Sequence, residues 1–294
     1  MSLSKDKNWW RQAVVYQIYP RSFKDSNGDG LGDIKGITSK IDYLSSLNLD
    51  AVWLSPFYPS ALVDGGYDVD DYRNVDPKLG SLADFDEMLA KLHEAGIRIF
   101  VDIVPNHSSN LHLWFKEAIA AEPGSAARNR YIFRDGKGEN GELPPNNWQS
   151  VFGGPAWHRL VGADGNGEQW YLHLFAVEQP DFNWEHPEVR EHFEGILKFW
   201  LDRGVDGFRI DVAQALIKYP GLPDIPPARE RASNDELVPD EERPMWDQDG
   251  VHEIYRVWRK ILNSYPGDRM AVAEAWASPA SRIARYVRPD ELAN

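Results

Sequence analysis

SLADFDEMLAKLHEAGIRIFVDIVPNH, residues 81–107, reads as one helix running directly into one buried strand. Residues 81–96 carry helix signals. IRIFVDIVPN (97–106) is a short β-branched run of the kind that fills the middle of a parallel sheet. The unit recurs on both sides. AVVYQIY (13–19), DAVWLS (50–55), GVDGFRID (204–211) and MAVAEAW (270–276) read as further strands. DIKGITSKIDYLSSLN (33–48) precedes the second strand as a helix, and HPEVREHFEGILKFWLDRG (186–204) precedes the fourth. Strand and helix units of this length make an α/β protein with a parallel sheet, either a closed barrel or an open doubly wound one. The period alone does not choose between them.

Two stretches interrupt the alternation. Residues 107–185, rich in Gly, Pro, Asn and Trp, far exceed an ordinary βα loop and read as an inserted subdomain. The chain thus divides into 1–106, the insert 107–185, and 186–294. Residues 219–250 are too Pro-rich and charged for a helix and read as a loop over a site.

Composition narrows the function classes. The 294 residues carry a net charge of −14, which argues against nucleic acid and anionic membranes as partners and suits a neutral ligand. There is no cysteine, hence no disulfide frame and no thiolate chemistry. No apolar run reaches signal-peptide or membrane-span length, so a cytoplasmic protein is expected. Twelve Trp, 12 Tyr and 12 Phe exceed what a core of this size needs, and sugar rings stack on such faces, although core packing uses them too.

Chemistry-bearing residues fall at the C-terminal ends of the strands: Asp102, Asn106 and His107 after the third, Arg209 and Asp211 after the fourth, Glu274 after the fifth. In a β/α barrel that rim is where catalytic groups gather. Two carboxylates from neighbouring strands suit glycosidic cleavage, one as proton donor and one beside the anomeric carbon. Arg209, two positions before Asp211, points to the same face and is expected to lower the Asp211 pKa. Glu274, between Ala273 and Ala275 beside Trp276, is expected to have a raised pKa and to stay protonated.

VDIVPNH (101–107), QPDFNW (179–184), GFRIDV (207–212) and AEAW (273–276) resemble, in order and spacing, four signatures of the α-amylase superfamily. The opening WWRQAVVYQIYPRSFKDSNGDGLGDIKGI and DGGYDVDDY (64–72) are similar to its α-glucosidase and oligo-1,6-glucosidase branch, and the resemblance covers nearly the whole chain. It implies a TIM (β/α)8 barrel, here about its first five strands, and a retaining double displacement. Asp211 then resembles the nucleophile, Glu274 the acid and base, and Arg209 the nucleophile's partner. His107, Asp64 and Tyr67 resemble ligands of the same glucose, and Phe152, Phe175 and Gln179 match positions lining its pocket. Asp102, Asn106 and Asp181 are expected to support the rim by satisfying loop backbone.

DSNGDGLGD offers Asp25, Asn27, Asp29, the Leu31 carbonyl and Asp33 as oxygen ligands, like an EF-hand loop without its twelfth-position Glu. The related glucosidases imply a structural Ca2+ here, with Mg2+ the other cation. The resemblance also implies a short oligosaccharide as substrate, cleaved one terminal glucose at a time. After Glu274 no later His and acid motif follows, so a C-terminal fragment of the same enzyme is expected as partner, covering an otherwise open sheet edge. A glucosyl-transferring isomerase of the trehalose or isomaltulose synthase type, and a non-catalytic assembly subunit or fragment, are the other readings.

Overall fold

The computed structural model describes residues 8–162, 167–227 and 239–291. After a 3-10 turn (Trp9–Gln12) come β1 (Val15–Ile18), α1 (Pro20–Phe23), α2 (Ile34–Thr38), α3 (Ile41–Ser46), β2 (Ala51–Leu54), α4 (Leu82–Glu94) and β3 (Arg98–Ile103). Then follow α5 (Leu113–Ala120), α6 (Ala126–Asn129), β4 (Phe133–Arg134), β5 (Trp157–Val161), β6 (Gly167–Leu172) and α7 (Pro187–Arg203). The rest comprises β7 (Gly207–Ile210), a 3-10 turn (Asp240–Glu242), α8 (Val251–Asn263), β8 (Met270–Ala273) and α9 (Ala280–Tyr286).

The five strands expected from the sequence pair in parallel in the order β1-β2-β3-β7-β8. Every residue of β3 is buried, as a strand at the centre of a sheet covered on both faces must be. Helix α4 starts at a reciprocal capping box between Ser81 and Asp84, and α7 has Pro187 in its first turn and left-handed Gly204 at its end. Trp200 of α7 packs edge-on against Phe57 and Phe85, and Trp184 and Phe193 carry the core to Trp258 of α8. Four of the tryptophans are fully buried, so much of the aromatic surplus is core.

Gly207 opens β7 because nothing larger fits: a Cβ there would lie 2.3 Å from the Met270 carbonyl and 2.6 Å from the Phe100 ring. Between β3 and α7 the chain builds a separate antiparallel sheet, β4-β6-β5, within the stretch read as an insert. The single helix expected over 33–48 is two, α2 and α3. Thr38 and Ser39 hydroxyls bond back to the Ile34 and Gly36 carbonyls, where local bonds compete with helix continuation. Of the loop 219–250, residues 228–238 lie outside the described residues.

Register places the chemistry. Asp102 of β3 is paired with Arg209 of β7, and Ile103, Ile210 and Ala273 form the next row, so Asp211 and Glu274 leave adjacent strand ends at the same level. The edge strands are half open, with Val15 44% and Val272 45% exposed.

Candidate active site

Asp211 follows β7, its amide donating to the Ile103 carbonyl, and Glu274 follows β8, its amide donating to the Ile210 carbonyl. Between them stands Arg209. Its Nη1 donates to Asp211 Oδ1 at 2.6 Å and its Nη2 to Glu274 Oε2 at 2.6 Å. Nη1 also donates to Asp102 Oδ1 at 3.1 Å. Asp102, Asp211 and Glu274 therefore share one guanidinium, which lies over the rings of Trp53 and Tyr67.

Three carboxylates against one cation leave the cluster short of positive charge, and burial sharpens the deficit. Burial pushes the Asp211 carboxyl up, helped by the neighbouring Asp102 and opposed by Arg209. The same burial lifts Asp102 to about 7, against Arg209, Tyr67 and Trp53, which hydrogen-bond its charged form. Glu274 goes the other way: burial pushes it up, but Arg209, the Val212 amide and the Trp276 indole more than offset that, and the carboxyl is lowered. Both sequence expectations are thus reversed. Asp211 is too deeply buried for one shared arginine to win, and Glu274, with its side chain 35% exposed, is too wet for its apolar neighbours to dominate.

Val212, next to Asp211, has φ +45°, a left-handed conformation costly for a β-branched residue and found where a site over-determines the backbone. On the β2 side, Gly66 at φ +110° turns the chain so that Asp64 and Tyr67 face the same space. A cavity of about 290 Å³ is lined by Asp64, Tyr67, His107, Phe152, Phe175, Arg209, Asp211, Val212 and Glu274. Every predicted pocket residue lines it except Gln179, which is buried behind it and joins Asp64 (3.1 Å) to His107 (3.0 Å). Burial lowers the His107 pKa, so the ring is neutral. The Tyr67 hydroxyl donates to Asp102 Oδ2 at 3.2 Å, which fixes its ring on the cavity wall.

Asp102 differs from the expectation. Its side chain serves Arg209, Tyr67 and Trp53 rather than loop backbone, and so belongs to the site. Asp181 does accept a loop amide, from Leu174. Two residues went unread in the sequence. Lys218, seven residues after Asp211, is buried against Asn106 and Asp181. Trp53 carries Asp102 from the neighbouring strand, and this contact, two residues beyond Trp53's register partner Phe100, could have been inferred only with the register in hand.

A second cavity of about 640 Å³ opens beyond Glu274, sharing Phe175, Val212 and Glu274 with the first and walled further by Val151, Trp246 and Trp276. Its arginine, Arg243, is ion-paired with Asp240 and Asp247.

The oxygen-rich loop lies between α1 and α2, and none of its residues lines either cavity. Asp25 accepts amides of Gly28 (2.7 Å) and Gly30 (2.8 Å), Asp29 accepts that of Leu31, and Asp33 caps α2 through Gly36 (2.6 Å). The donors are chemically those of a hard-cation site. Among the described residues, however, no three His, Asp or Glu side chains are grouped so as to hold a metal ion, and these loop carboxylates are turned onto loop amides. No described helix is long and apolar enough to cross a membrane.

With this geometry in hand, likeness to known proteins is informative. The family described as the catalytic domain of alpha amylase matches residues 17–293. The chain is 46% identical over 272 residues to the oligo-1,6-glucosidase of Parageobacillus thermoglucosidasius, covering 92% of this chain and 45% of that one. To the trehalose-6-phosphate hydrolase of Escherichia coli (strain K12) it is 50% identical over 280 residues, 95% and 47% of the two chains. Among solved structures, Bacillus licheniformis trehalose-6-phosphate hydrolase superposes with TM-score 0.84 at 41% identity, over 97% of this chain and 48% of that one. The trehalulose synthase of Pseudomonas mesoacidophila MX-45 gives 0.83 at 40%, over the same shares. The chain spans about half the length of these relatives, and its five parallel strands correspond to part of their barrel. By sequence and by fold, the chain belongs to the alpha-amylase catalytic-domain family.

Proposed function

We propose that this chain carries the glycone pocket and two of the acids of a retaining, exo-acting α-glucosidase. The observation that carries the reading is the pair of 2.6 Å contacts by which one guanidinium holds both Asp211 and Glu274. Carboxylates so bridged, and joined by a side-chain hydrogen bond between Asp211 and Glu274, stand closer than the roughly 6.5–9.5 Å at which an inverting enzyme admits a water, and suit a nucleophile with its acid. Asp211 attacks the anomeric carbon while Glu274 protonates the departing oxygen; a water activated by Glu274 then releases glucose.

The charge state needs one shift. With Asp211 raised and Glu274 lowered, a proton held among the three acids lies on the buried side. A sugar filling the cavity strips water from Glu274, the one partly exposed member, and raises its pKa. The proton then moves to the leaving-group side, and Asp211 ionises against Arg209. The small pocket of about 290 Å³ accommodates one glucose and favours removal of terminal units.

The cavity beyond Glu274 takes the leaving group. Arg243 being committed to two aspartates supports an uncharged sugar there over a phosphorylated one, unlike the substrate in the name of the trehalose-6-phosphate hydrolases. The trehalulose synthase neighbour makes glucosyl transfer the second reading. Proton NMR of fresh product from maltose, sucrose and trehalose 6-phosphate decides: α-glucose formed first supports the proposal, β-glucose sinks it, and an isomerised disaccharide supports transfer.

Two further assignments belong to the same reading. The half-open strands β1 and β8 and the 78% exposed Trp276 support a partner, the C-terminal part of the same enzyme, that covers these edges. The oxygen donors of Asp25, Asn27, Asp29, Leu31 and Asp33 support Ca2+ as a structural ion, bound once Asp25 and Asp29 release loop amides. A cysteine-free chain suits a cytoplasmic setting.

A further inference from the structure

Two rim loops of different strands are joined at one buried carboxylate, by a strut from α9 that no step above uses. Asp247, in the loop after β7, is 2% exposed and turns the chain at φ +53° between Trp246 and Gln248. Arg282 of α9, 7% exposed, grips it at two points: Nε donates to Asp247 Oδ2, and Nη2 to the Asp247 carbonyl at 2.6 Å. Nη2 also reaches Asp249 Oδ1 at 2.8 Å. The Tyr286 hydroxyl, from the end of α9, donates to Asp247 Oδ1 at 2.8 Å, and Arg243 pairs with Oδ2 at 3.1 Å. The Asp247 amide in turn donates to the Gln214 carbonyl at 2.6 Å.

These contacts constrain the backbone as well as the charge. A planar guanidinium that takes the carboxylate and the carbonyl of one residue fixes both its rotamer and its backbone setting. A buried carboxylate must also stay paired, so the loop after β7 cannot lift off α9 without leaving a charge uncompensated. What the strut carries is one residue away. Trp246 lines the cavity beyond Glu274 and packs on the apolar cluster that Met245 shares with Trp148, Trp157 and Leu172 of the insert. The same cavity is lined by Trp276, Ala277 and Ser278, the segment leading from Glu274 towards α9. Arg282 and Tyr286 themselves line neither cavity, so any effect they have on the reaction passes through this loop.

We propose that Arg282 is a positioning residue: through Asp247 it fixes Trp246 as a wall of the leaving-group cavity, in a set relation to the segment that carries Glu274, and so tightens the binding of a second sugar there. The inference rests on the reading of that cavity as the place of the leaving group.

The test compares two substrates in the full protein: maltose, whose second sugar reaches the cavity beyond Glu274, and α-glucosyl fluoride, whose leaving group is a single atom. In Arg282→Met, KM for maltose rises about tenfold, the worth of one hydrogen bond, while kcat/KM for the fluoride stays within about twofold of wild type. Arg282→Lys, which keeps the charge without the fork, recovers part of the loss. Trp246→Ala gives the same split between substrates, and adding Arg282→Met to it costs little more, because the strut then has no wall to hold. Hydrogen exchange over residues 240–249 reads the strut directly, and protection there falls in Arg282→Met. A folded Arg282→Met that slows both substrates equally or changes neither overturns the proposal, and so do additive effects with Trp246→Ala. Should Arg282→Met not fold, Tyr286→Phe decides, since it takes one hydrogen bond from Asp247 and keeps the ring; an unchanged KM for maltose then overturns the proposal. A wild type that turns over neither substrate defeats the glucosidase reading instead, and unchanged exchange in Arg282→Met overturns the strut on its own.

Discussion

Asp211 and Glu274 are held by the two terminal nitrogens of a single guanidinium, each at 2.6 Å. The relationship between the two acids is thus set by Arg209, and a lysine cannot reproduce it, because an ammonium is a point donor and not a planar fork. Arg209→Lys is expected to leave folding intact and to lower kcat/KM about 100-fold or more, the cost of about 1 Å of misplacement. Steady-state kinetics beside a thermal melt checks this, and near wild-type turnover would contradict it.

Asp102 makes stability depend on pH in a stated direction. Its carboxyl is raised from the ordinary 3.8 to about 7, first by burial, so the folded protein holds a proton that the unfolded chain gives up. Stability from this group is full below about pH 4 and is lost as pH rises to about 7. Asp102→Asn removes that dependence, on the order of a few kcal/mol between the two ends. Urea unfolding at pH 4.5 and 7.5 measures it. Equal slopes in both proteins would refute the assignment.

The same substitution acts on Asp211. Asp102 is the largest charged contributor to its raised pKa, so Asp102→Asn is expected to move the acid limb of the kcat/KM profile to lower pH. A limb that stays in place would mean that burial alone sets the nucleophile.

Gly207 is required by packing. In Gly207→Ala the methyl would meet the Met270 carbonyl at 2.3 Å, a backbone atom that cannot swing aside. The expected loss is about 3 kcal/mol or more, read as a fall in urea midpoint with unchanged slope. A variant as stable as wild type would show that β7 and β8 can part.

For the loop at 25–33, Ca2+ at about 100 times its dissociation constant should add about 2.7 kcal/mol, and Asp25→Ala should abolish the gain. A melting temperature indifferent to Ca2+ and to chelator would remove the ion from the account.

The sequence exposed some of this and hid the rest for physical reasons. The β-branched runs predicted all five parallel strands because a central strand such as β3 has no solvent face to dilute its pattern. The pocket residues Asp64, Tyr67, Phe152 and Phe175 were legible only through family signatures, since a lone aromatic or acid looks the same in a core and in a cleft. The pKa directions of Asp211 and Glu274 were misread because they depend on how deeply each strand end is buried and on Asp102, which the register brings opposite Arg209. Lys218 was invisible for a similar reason. Nothing in the local sequence says that a lysine in the loop after β7 folds back under Asn106.

The central claim is that Asp211 becomes covalently bonded to glucose. A 5-fluoroglucosyl fluoride of α configuration, incubated with the full protein and followed by peptide mass spectrometry, tests this most directly. The account predicts one adduct, on the peptide containing Asp211, absent in Asp211→Asn. Turnover of the reagent with no adduct, or an adduct on another carboxylate, would contradict it.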